Sequence, residues 1–279
     1  QMEASEAAFG VTEMVDENMA NAARVHTVEN GRDIEHFTMI GFGGGAPLHA
    51  CRLCEKLGIK ELIIPPGAGV GSAIGFLKAP FSYEATRGLF QRLDQFDAAA
   101  VNAALIDLKA EATAFVSTGA KDAKTTTQLT AFMRYAGQGW EIPVVLPYKT
   151  FVDADQAEVL TAFEAAYRRL FGRVIDGLAI EITNWSLVVA SILPKTPSVE
   201  RYASGASVTP LRTRQFFDAA LRKTVDAQEV DRGAMSAGKI VEGPAIIIES
   251  ETTTIVTSGF RAVGQGDGSL RLIHKGDSQ

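Results

Sequence analysis

The first ninety residues alternate between helical and strand patterns of apolar positions. Residues 4–28 carry apolar side chains at helical spacing, which predicts a long helix. Residues 37–42 form a short apolar run typical of a buried strand, and they lead directly into three glycines. A helix that ends at Gly58, a strand over residues 61–64 and a short helix over residues 70–79 follow. This order of strand, loop and helix predicts an α/β domain.

Beyond Gly88 the pattern becomes richer in strands. Asp97 is a suitable N-cap for a long helix, and residues 154–171 predict another. The predicted strands are residues 125–146, broken by the glycines at 137 and 139, then 178–193, and a terminal meander of 245–248, 253–257 and 270–273. Residues 201–237 show no strong period. We therefore predict one domain over residues 1–90 and a β-rich α+β domain over residues 91–279.

Composition and charge are those of a globular protein. The chain has 279 residues, enough for two domains, and a net charge of −6, which gives no support for nucleic-acid binding. No apolar run approaches the roughly 20 residues of a membrane helix. Two cysteines three residues apart provide no disulfide framework, which indicates a cytoplasmic protein. The helical pattern starts almost at Gln1, so we expect a piece of a longer subunit; a tag remnant before Met2 is the alternative.

The sharpest chemical signal is the glycine loop, Gly43-Gly44-Gly45, between a predicted strand and a predicted helix. Adjacent glycines let the backbone approach a ligand closely, and N–H groups at a helix N-terminus favour an anion or a nucleotide. The loop also fits the dinucleotide pattern G-x-G-x-x-G/A, but no acidic residue ends the next strand. A Walker loop is excluded, because it requires a following Gly-Lys-Ser/Thr that this sequence lacks. A loop that is rich in glycine only for tight packing stays open.

Longer motifs carry a family resemblance. Residues 39–50 (MIGFGGGAPLHA) resemble the FGG-x-GPLHA stretch of the hydantoinase A/5-oxoprolinase family, which is similar to the adenosine motif of actin/Hsp70-like ATPases. Residues 65–75 (PPGAGVGSAIG), 134–141 (RYAGQGWE) and the hairpin at 243–254 resemble further family segments in the same order. The loop departs from the family's Gly-Gly-Ala-Gly-Pro, because an extra Gly43 precedes Gly-Gly-Ala-Pro.

The resemblance implies the second half of an actin/Hsp70-like (ribonuclease H-like) ATPase domain, followed by the family's β-rich C-terminal domain. It implies an ATP-dependent enzyme that phosphorylates a cyclic amide, such as a hydantoin or oxoproline, for ring-opening hydrolysis. ATP and Mg²⁺ are the implied cofactors, and the implied nucleotide-binding residues are Gly43, Gly44, Gly45, Ala46 and His49. The catalytic and metal-binding residues are expected in the N-terminal half of the same subunit, so we expect no turnover by this chain alone. A larger hydantoinase B-like subunit is an expected partner.

Two other functions stay open. The related acetone and acetophenone carboxylases use a similar subunit to phosphorylate a ketone-derived enolate or bicarbonate. A non-catalytic assembly subunit with a degenerate nucleotide fold would fit the altered glycine loop. A NAD-binding protein is disfavoured by the missing acidic residue.

Several polar residues have a structural and a functional interpretation. Tyr135, Gln138 and Glu141 flank a glycine turn, where contact with a substrate or an interface is one interpretation and a strand-turn role is the other. His49 is either a nucleotide or partner contact or a packed side chain. Cys51 and Cys54 form a CxxC with no second pair for zinc, and their place on an apolar helix face predicts burial.

Overall fold

The computed structural model describes residues 4–195 and 198–277 as a mixed α/β chain. Its helices are α1 (Ala4–Glu29), α2 (Ala46–Leu57), α3 (Gly71–Lys78), α4 (Ala98–Gly119) and α5 (Gln156–Phe171). Its strands are β1 (Thr38–Ile40), β2 (Glu61–Ile64), β3 (Ser82–Arg92), β4 (Thr125–Tyr135), β5 (Ile142–Leu146), β6 (Ile180–Ser191), β7 (Ala206–Ser207), β8 (Arg212–Asp218), β9 (Lys223–Asp231), β10 (Lys239–Glu242), β11 (Ala245–Ile248), β12 (Thr253–Val256), β13 (Phe260–Gly264) and β14 (Leu270–His274). The chain forms two compact units, unit 1 from residues 1–78 and 196–279 and unit 2 from residues 79–195.

Unit 1 contains two sheets. One has six strands in the order β1-β2-β14-β13-β10-β7, and the other has four in the order β12-β11-β9-β8. β1 and β2 are parallel, as the predicted α/β pattern requires, whereas β14 runs antiparallel to β2. Leu270 and Leu272 of β14 pair with Ile64 and Leu62 of β2, and all four side chains are fully buried. The last strand of the chain therefore completes the sheet that carries the glycine loop.

The predicted terminal meander is wrong. β11 and β12 form an antiparallel hairpin in the four-stranded sheet, but β13 and β14 belong to the six-stranded sheet. The chain passes from one sheet to the other between Val256 and Phe260, both fully buried. Alternating apolar residues identify strands, but they do not say which strand pairs with which, and only the three-dimensional packing settles that choice.

Unit 2 is a four-stranded antiparallel sheet, β3-β6-β4-β5, with α4 and α5 packed against it. Asp97 caps α4 as predicted, because its carboxylate accepts a hydrogen bond from the N–H of Ala100 at 2.9 Å. The core of the unit includes Trp185 and Phe163, both fully buried. Strand β3 was not among the predicted elements, since its exposed side chains hide the alternation.

The spatial units divide the chain differently from the predicted domains. The C-terminal residues from 196 onwards belong to the same compact unit as the first 78 residues, because β14 pairs with β2. The boundary near residue 90 stays a prediction about the domains of the sequence. Among the described residues, no helix has both the length and the apolar character needed to cross a membrane.

Candidate functional site

The glycine loop joins β1 to α2 within unit 1. Gly43 has a φ of +108°, a conformation that favours glycine, and its N–H donates to the carbonyl of Ala68 at 3.0 Å. Gly45 is the N-cap of α2, and the left-handed Gly58 closes the same helix. The predicted unit of strand, glycine loop and helix is therefore confirmed as structure. Because the N–H of Gly43 makes this intramolecular hydrogen bond, it is not available to a ligand.

Within the described part of the chain, no acceptor is found for the N–H groups of Gly44, Gly45 and Ala46. Gly44 and Gly45 are exposed, and a Cβ on Gly45 would meet nothing within 4 Å. The first N–H groups of a helix have no intrahelical partner and carry partial positive charge. These three adjacent groups therefore form a candidate site for an anion or for the oxygen atoms of a nucleotide.

His49 lies one turn into α2 and is held by a buried carboxylate. Its Nδ1 is 2.7 Å from Oδ1 of Asp16 on α1, and the Asp16 side chain is only 4% exposed. Burial raises the pKa of Asp16, and the hydrogen bond to His49 opposes that shift. Because Nδ1 is engaged, Nε2 is the ring nitrogen left for another partner. His49 thus combines both interpretations from the sequence, since it is packed on one side and 28% exposed on the other.

A mostly apolar cavity of about 380 Å³ lies beside His49. Its wall includes Met39 from β1, Gly45 from the loop and Leu53 from α2. The cavity places one polar side chain, His49, at the edge of an apolar surface next to the free N–H groups. Ligand sites commonly combine an apolar wall with a few polar groups in this manner.

Tyr135, Gln138 and Glu141 lie in unit 2 and make structural hydrogen bonds there. Tyr135 is 2% exposed, and its hydroxyl accepts a hydrogen bond from the N–H of Ile175 at 3.0 Å. Gln138 donates to the hydroxyl of Tyr167 at 2.8 Å, which fixes the glycine turn. Glu141 accepts hydrogen bonds from side chains of strand β6. Contact of these residues with a substrate or an interface stays a prediction, and burial leaves Tyr135 no direct access to either.

Two residues near the glycine loop were not among the predicted site residues. Asp16 is an acidic residue inside the apolar pattern of α1, and this interruption is the sequence signal that could have identified it. Thr252 donates its hydroxyl hydrogen to the carbonyl of Gly44 at 2.6 Å. The resemblance included the hairpin that contains Thr252, but only the packing of β12 against α2 brings that hairpin to the loop. Among the described residues, no group of three His, Cys, Asp or Glu side chains is placed to hold a metal ion.

The two cysteines are buried, as the sequence predicted. Cys51 and Cys54 are 1% and 0% exposed and face the core of unit 1. Burial raises the pKa of Cys51, and it raises the pKa of Cys54 to about 12. The thiolate is the reactive form of cysteine, so both groups are inert near neutral pH.

We expect iodoacetamide at pH 8 to label both thiols of the folded chain at least about tenfold more slowly than those of the guanidinium-unfolded chain. Peptide mass spectrometry measures the labelling at Cys51 and Cys54 separately. Because folding raises both pKa values, the unfolded chain releases these protons first, and stability falls as the pH rises above 9.0, the ordinary value. Equal labelling of the folded and unfolded chains would contradict the burial.

The fold and the loop define a class of protein: a mixed α/β chain in which a glycine loop joins a strand of a parallel pair to a helix, with N–H groups that have no acceptor among the described residues. The sequence identifies the family within that class. Residues 1–85 match the family model described as hydantoinase/oxoprolinase, and residues 91–275 match that of the hydantoinase/oxoprolinase C-terminal domain. The chain belongs to the hydantoinase/oxoprolinase family.

Characterised relatives and solved structures agree with this assignment. The chain is 26% identical to caprolactamase subunit alpha of Pseudomonas jessenii, over 91% of this chain and 38% of that protein. It is 27% identical to 5-oxoprolinase PfmaA of Pestalotiopsis fici, over 93% of this chain and 20% of that protein. The nucleotide-free structure of acetone carboxylase superposes with a TM-score of 0.76 at 26% identity, covering 96% of this chain and 40% of that one. The chain thus spans two fifths or less of these proteins.

Proposed function

We propose that the chain is part of an ATP-dependent enzyme that phosphorylates a cyclic amide of the hydantoin or oxoproline type for ring-opening hydrolysis. The observation that carries the proposal is the set of N–H groups on Gly44, Gly45 and Ala46 at the start of α2, for which the described residues provide no acceptor. The relatives named 5-oxoprolinase and caprolactamase support the substrate class, because oxoproline and caprolactam are both cyclic amides.

The described residues fit a nucleotide. The N–H groups of Gly44, Gly45 and Ala46 would donate to its oxygen atoms, and the α2 N-terminus would favour its negative charge. Gly43 shapes the turn, and His49, fixed through Nδ1 by Asp16, would contact the nucleotide through Nε2. ATP supplies the phosphoryl group that turns the amide oxygen into a leaving group.

We assign the Mg²⁺ ligands and the catalytic residues to the N-terminal half of the same subunit. The described residues of this chain offer no cluster of three metal-binding side chains, so no metal chemistry is assigned to them. Phosphoryl transfer requires neutralisation of charge on the transferred group, usually by Mg²⁺. We therefore expect no turnover by this chain alone.

Exposed apolar surface supports the N-terminal half as a partner. On α1, Val11 and Met14 are 65% and 66% exposed, although they belong to the apolar pattern of that helix. On α3, Phe76 and Leu77 are more than 80% exposed. β1 is an edge strand of its sheet, and Ile40 on it is exposed. Large apolar side chains that are exposed on several elements are typical of an interface.

A larger hydantoinase B-like subunit is the second partner that we propose. The names caprolactamase subunit alpha and acetone carboxylase beta subunit describe proteins of several subunits. We place the complex in the cytoplasm, which the free thiols of Cys51 and Cys54 support.

The test follows the amide oxygen. With the assembled enzyme, ATP and 5-oxoproline carrying ¹⁸O in the ring carbonyl, we expect ¹⁸O in the released inorganic phosphate. The amide oxygen attacks the γ-phosphorus and displaces ADP; a first water then adds to the ring carbon, and the ring C–N bond opens to leave an acyl phosphate. A second water attacks the carbonyl carbon of the acyl phosphate and releases phosphate that carries the original oxygen. Mass spectrometry of the phosphate measures the transfer. Amide-dependent phosphate without ¹⁸O would contradict phosphorylation of the amide.

A carboxylase subunit is the second candidate, favoured by the superposition on acetone carboxylase at a TM-score of 0.76. For that function we expect phosphate release that depends on a ketone and bicarbonate and not on a cyclic amide. A non-catalytic assembly subunit is the third, because the glycine loop departs from the family pattern. Failure of the assembled complex to bind ATP would favour that third candidate.

A further inference from the structure

The turn between β11 and β12 packs against both glycine segments of unit 1. Thr252 is 9% exposed, and its hydroxyl donates to the carbonyl of Gly44 at 2.6 Å. The N–H of Glu249 donates to the carbonyl of Thr252 at 3.2 Å and closes the turn. A Cβ on Gly69 would lie 2.7 Å from the carbonyl oxygen of Glu251, so glycine at this position permits the close approach.

The bond from Thr252 determines the orientation of one peptide group in the loop. In a trans peptide the C=O of one residue and the N–H of the next point in opposite directions. Because Thr252 holds the C=O of Gly44, the N–H of Gly45 points away from the turn, and it has no acceptor among the described residues. A peptide between two glycines rotates more easily than any other, since neither residue has a Cβ. Without the hydroxyl, this peptide would have little to hold it.

We propose that Thr252 is a positioning residue that keeps the N–H of Gly45 directed at the bound nucleotide. The inference rests on the proposed nucleotide site and adds a residue from the C-terminal hairpin to it. The hairpin lies about two hundred residues after the loop in sequence, and the pairing of β12 with β11 and of β11 with β9 holds it in place. The four-stranded sheet of unit 1 thereby supports the nucleotide loop.

Thr254, two residues further along the chain in β12, provides a matched control. It is fully buried, and its hydroxyl oxygen has no hydrogen-bond partner among the described residues. Replacement of threonine by valine keeps the shape of the side chain and removes the hydroxyl. Thr254→Val therefore makes the same chemical change two residues away without touching the loop.

The experiment measures ATP affinity by calorimetry on the chain assembled with the rest of its subunit. We expect Thr252→Val to weaken ATP binding about tenfold, the effect of one lost hydrogen bond to a binding loop. Thr252→Ser keeps a hydroxyl, so its ATP affinity is expected to stay within about threefold of the wild-type value. The ATP affinity of Thr254→Val is expected to equal that of the wild type. The rate of amide hydrogen exchange in peptides covering residues 42–50, measured without nucleotide, is expected to rise in Thr252→Val but not in Thr252→Ser or Thr254→Val.

Each outcome is decisive. Faster exchange together with weaker ATP binding in Thr252→Val, restored by serine, supports the proposal. Unchanged exchange overturns the claim that Thr252 holds the loop, and unchanged ATP affinity overturns its role in nucleotide binding while the proposed function stands. Equal weakening by Thr254→Val would indicate a general loss of packing and would also overturn it. A wild-type subunit that binds no ATP would overturn the proposed function itself, and this inference with it.

Discussion

Replacement of Phe163 by alanine is expected to lower the free energy of unfolding of unit 2 by about 3–5 kcal/mol. Phe163 on α5 is fully buried, and its ring packs edge to face against Tyr135 with the centroids 5.0 Å apart. The substitution loses the apolar transfer energy and leaves a cavity in a dense core. Domains of this size are stable by about 5–15 kcal/mol, so the loss is a large fraction of the total.

Urea denaturation followed by tryptophan fluorescence measures this effect in unit 2 alone, because both tryptophans, Trp140 and Trp185, belong to that unit. Phe171→Ala on the same helix is the control. Phe171 is 54% exposed, so its loss is expected to cost less than about 1 kcal/mol. Similar unfolding midpoints for the two variants would show that Phe163 is not a core residue.

The local elements of this fold could be predicted because short-range chemistry determines them. Gly58 ends α2 in the left-handed conformation, and Asp97 begins α4 with a side-chain cap, as their positions in the sequence indicated. β8 shows the limit of this approach. Its residues from Arg212 to Gln215 are exposed, so the strand has little apolar alternation to find, although it pairs along its whole length with β9. Long-range pairing maintains this strand without a strong local signal.

The candidate site likewise contains residues that the local sequence predicts and residues that only the tertiary structure brings together. The glycines and His49 lie within seven residues of one another, so one motif contained them. Asp16 reaches His49 because α1 packs against α2, and Thr252 reaches Gly44 because β12 packs against α2. Neither contact follows from the spacing of residues. The sequence also does not say which N–H groups of the loop are available to a ligand. The structure shows that the N–H of Gly43 donates to the carbonyl of Ala68, while those of Gly44 and Gly45 have no acceptor in the described chain.

Replacement of Gly45 by aspartate is expected to weaken ATP binding by about 100-fold or more without lowering stability. The backbone of Gly45 is right-handed, with φ of −92° and ψ of −25°, and a Cβ there meets nothing within 4 Å. Aspartate is a favourable N-cap, so the helix tolerates it. Its carboxylate would lie beside the N–H groups of Gly44, Gly45 and Ala46 and repel the nucleotide, since two like charges about 4 Å apart near a protein surface repel by about 4 kcal/mol. Calorimetric titration of the assembled subunit with ATP measures the affinity, and thermal unfolding measures the stability.

Gly45→Asn is the control that distinguishes the effect of the negative charge from the effect of the added side chain at the same position. Asparagine has nearly the shape of aspartate and caps helices equally well, but it carries no charge. We therefore expect Gly45→Asn to weaken ATP binding by about tenfold at most, the effect of a neutral side chain that crowds the nucleotide and costs about one hydrogen bond. If asparagine and aspartate weaken binding equally, the loop contacts an uncharged part of the nucleotide and not its phosphates. If neither substitution changes ATP affinity, the start of α2 is not the nucleotide site, and the glycines serve only the packing of the turn between β11 and β12 against the loop.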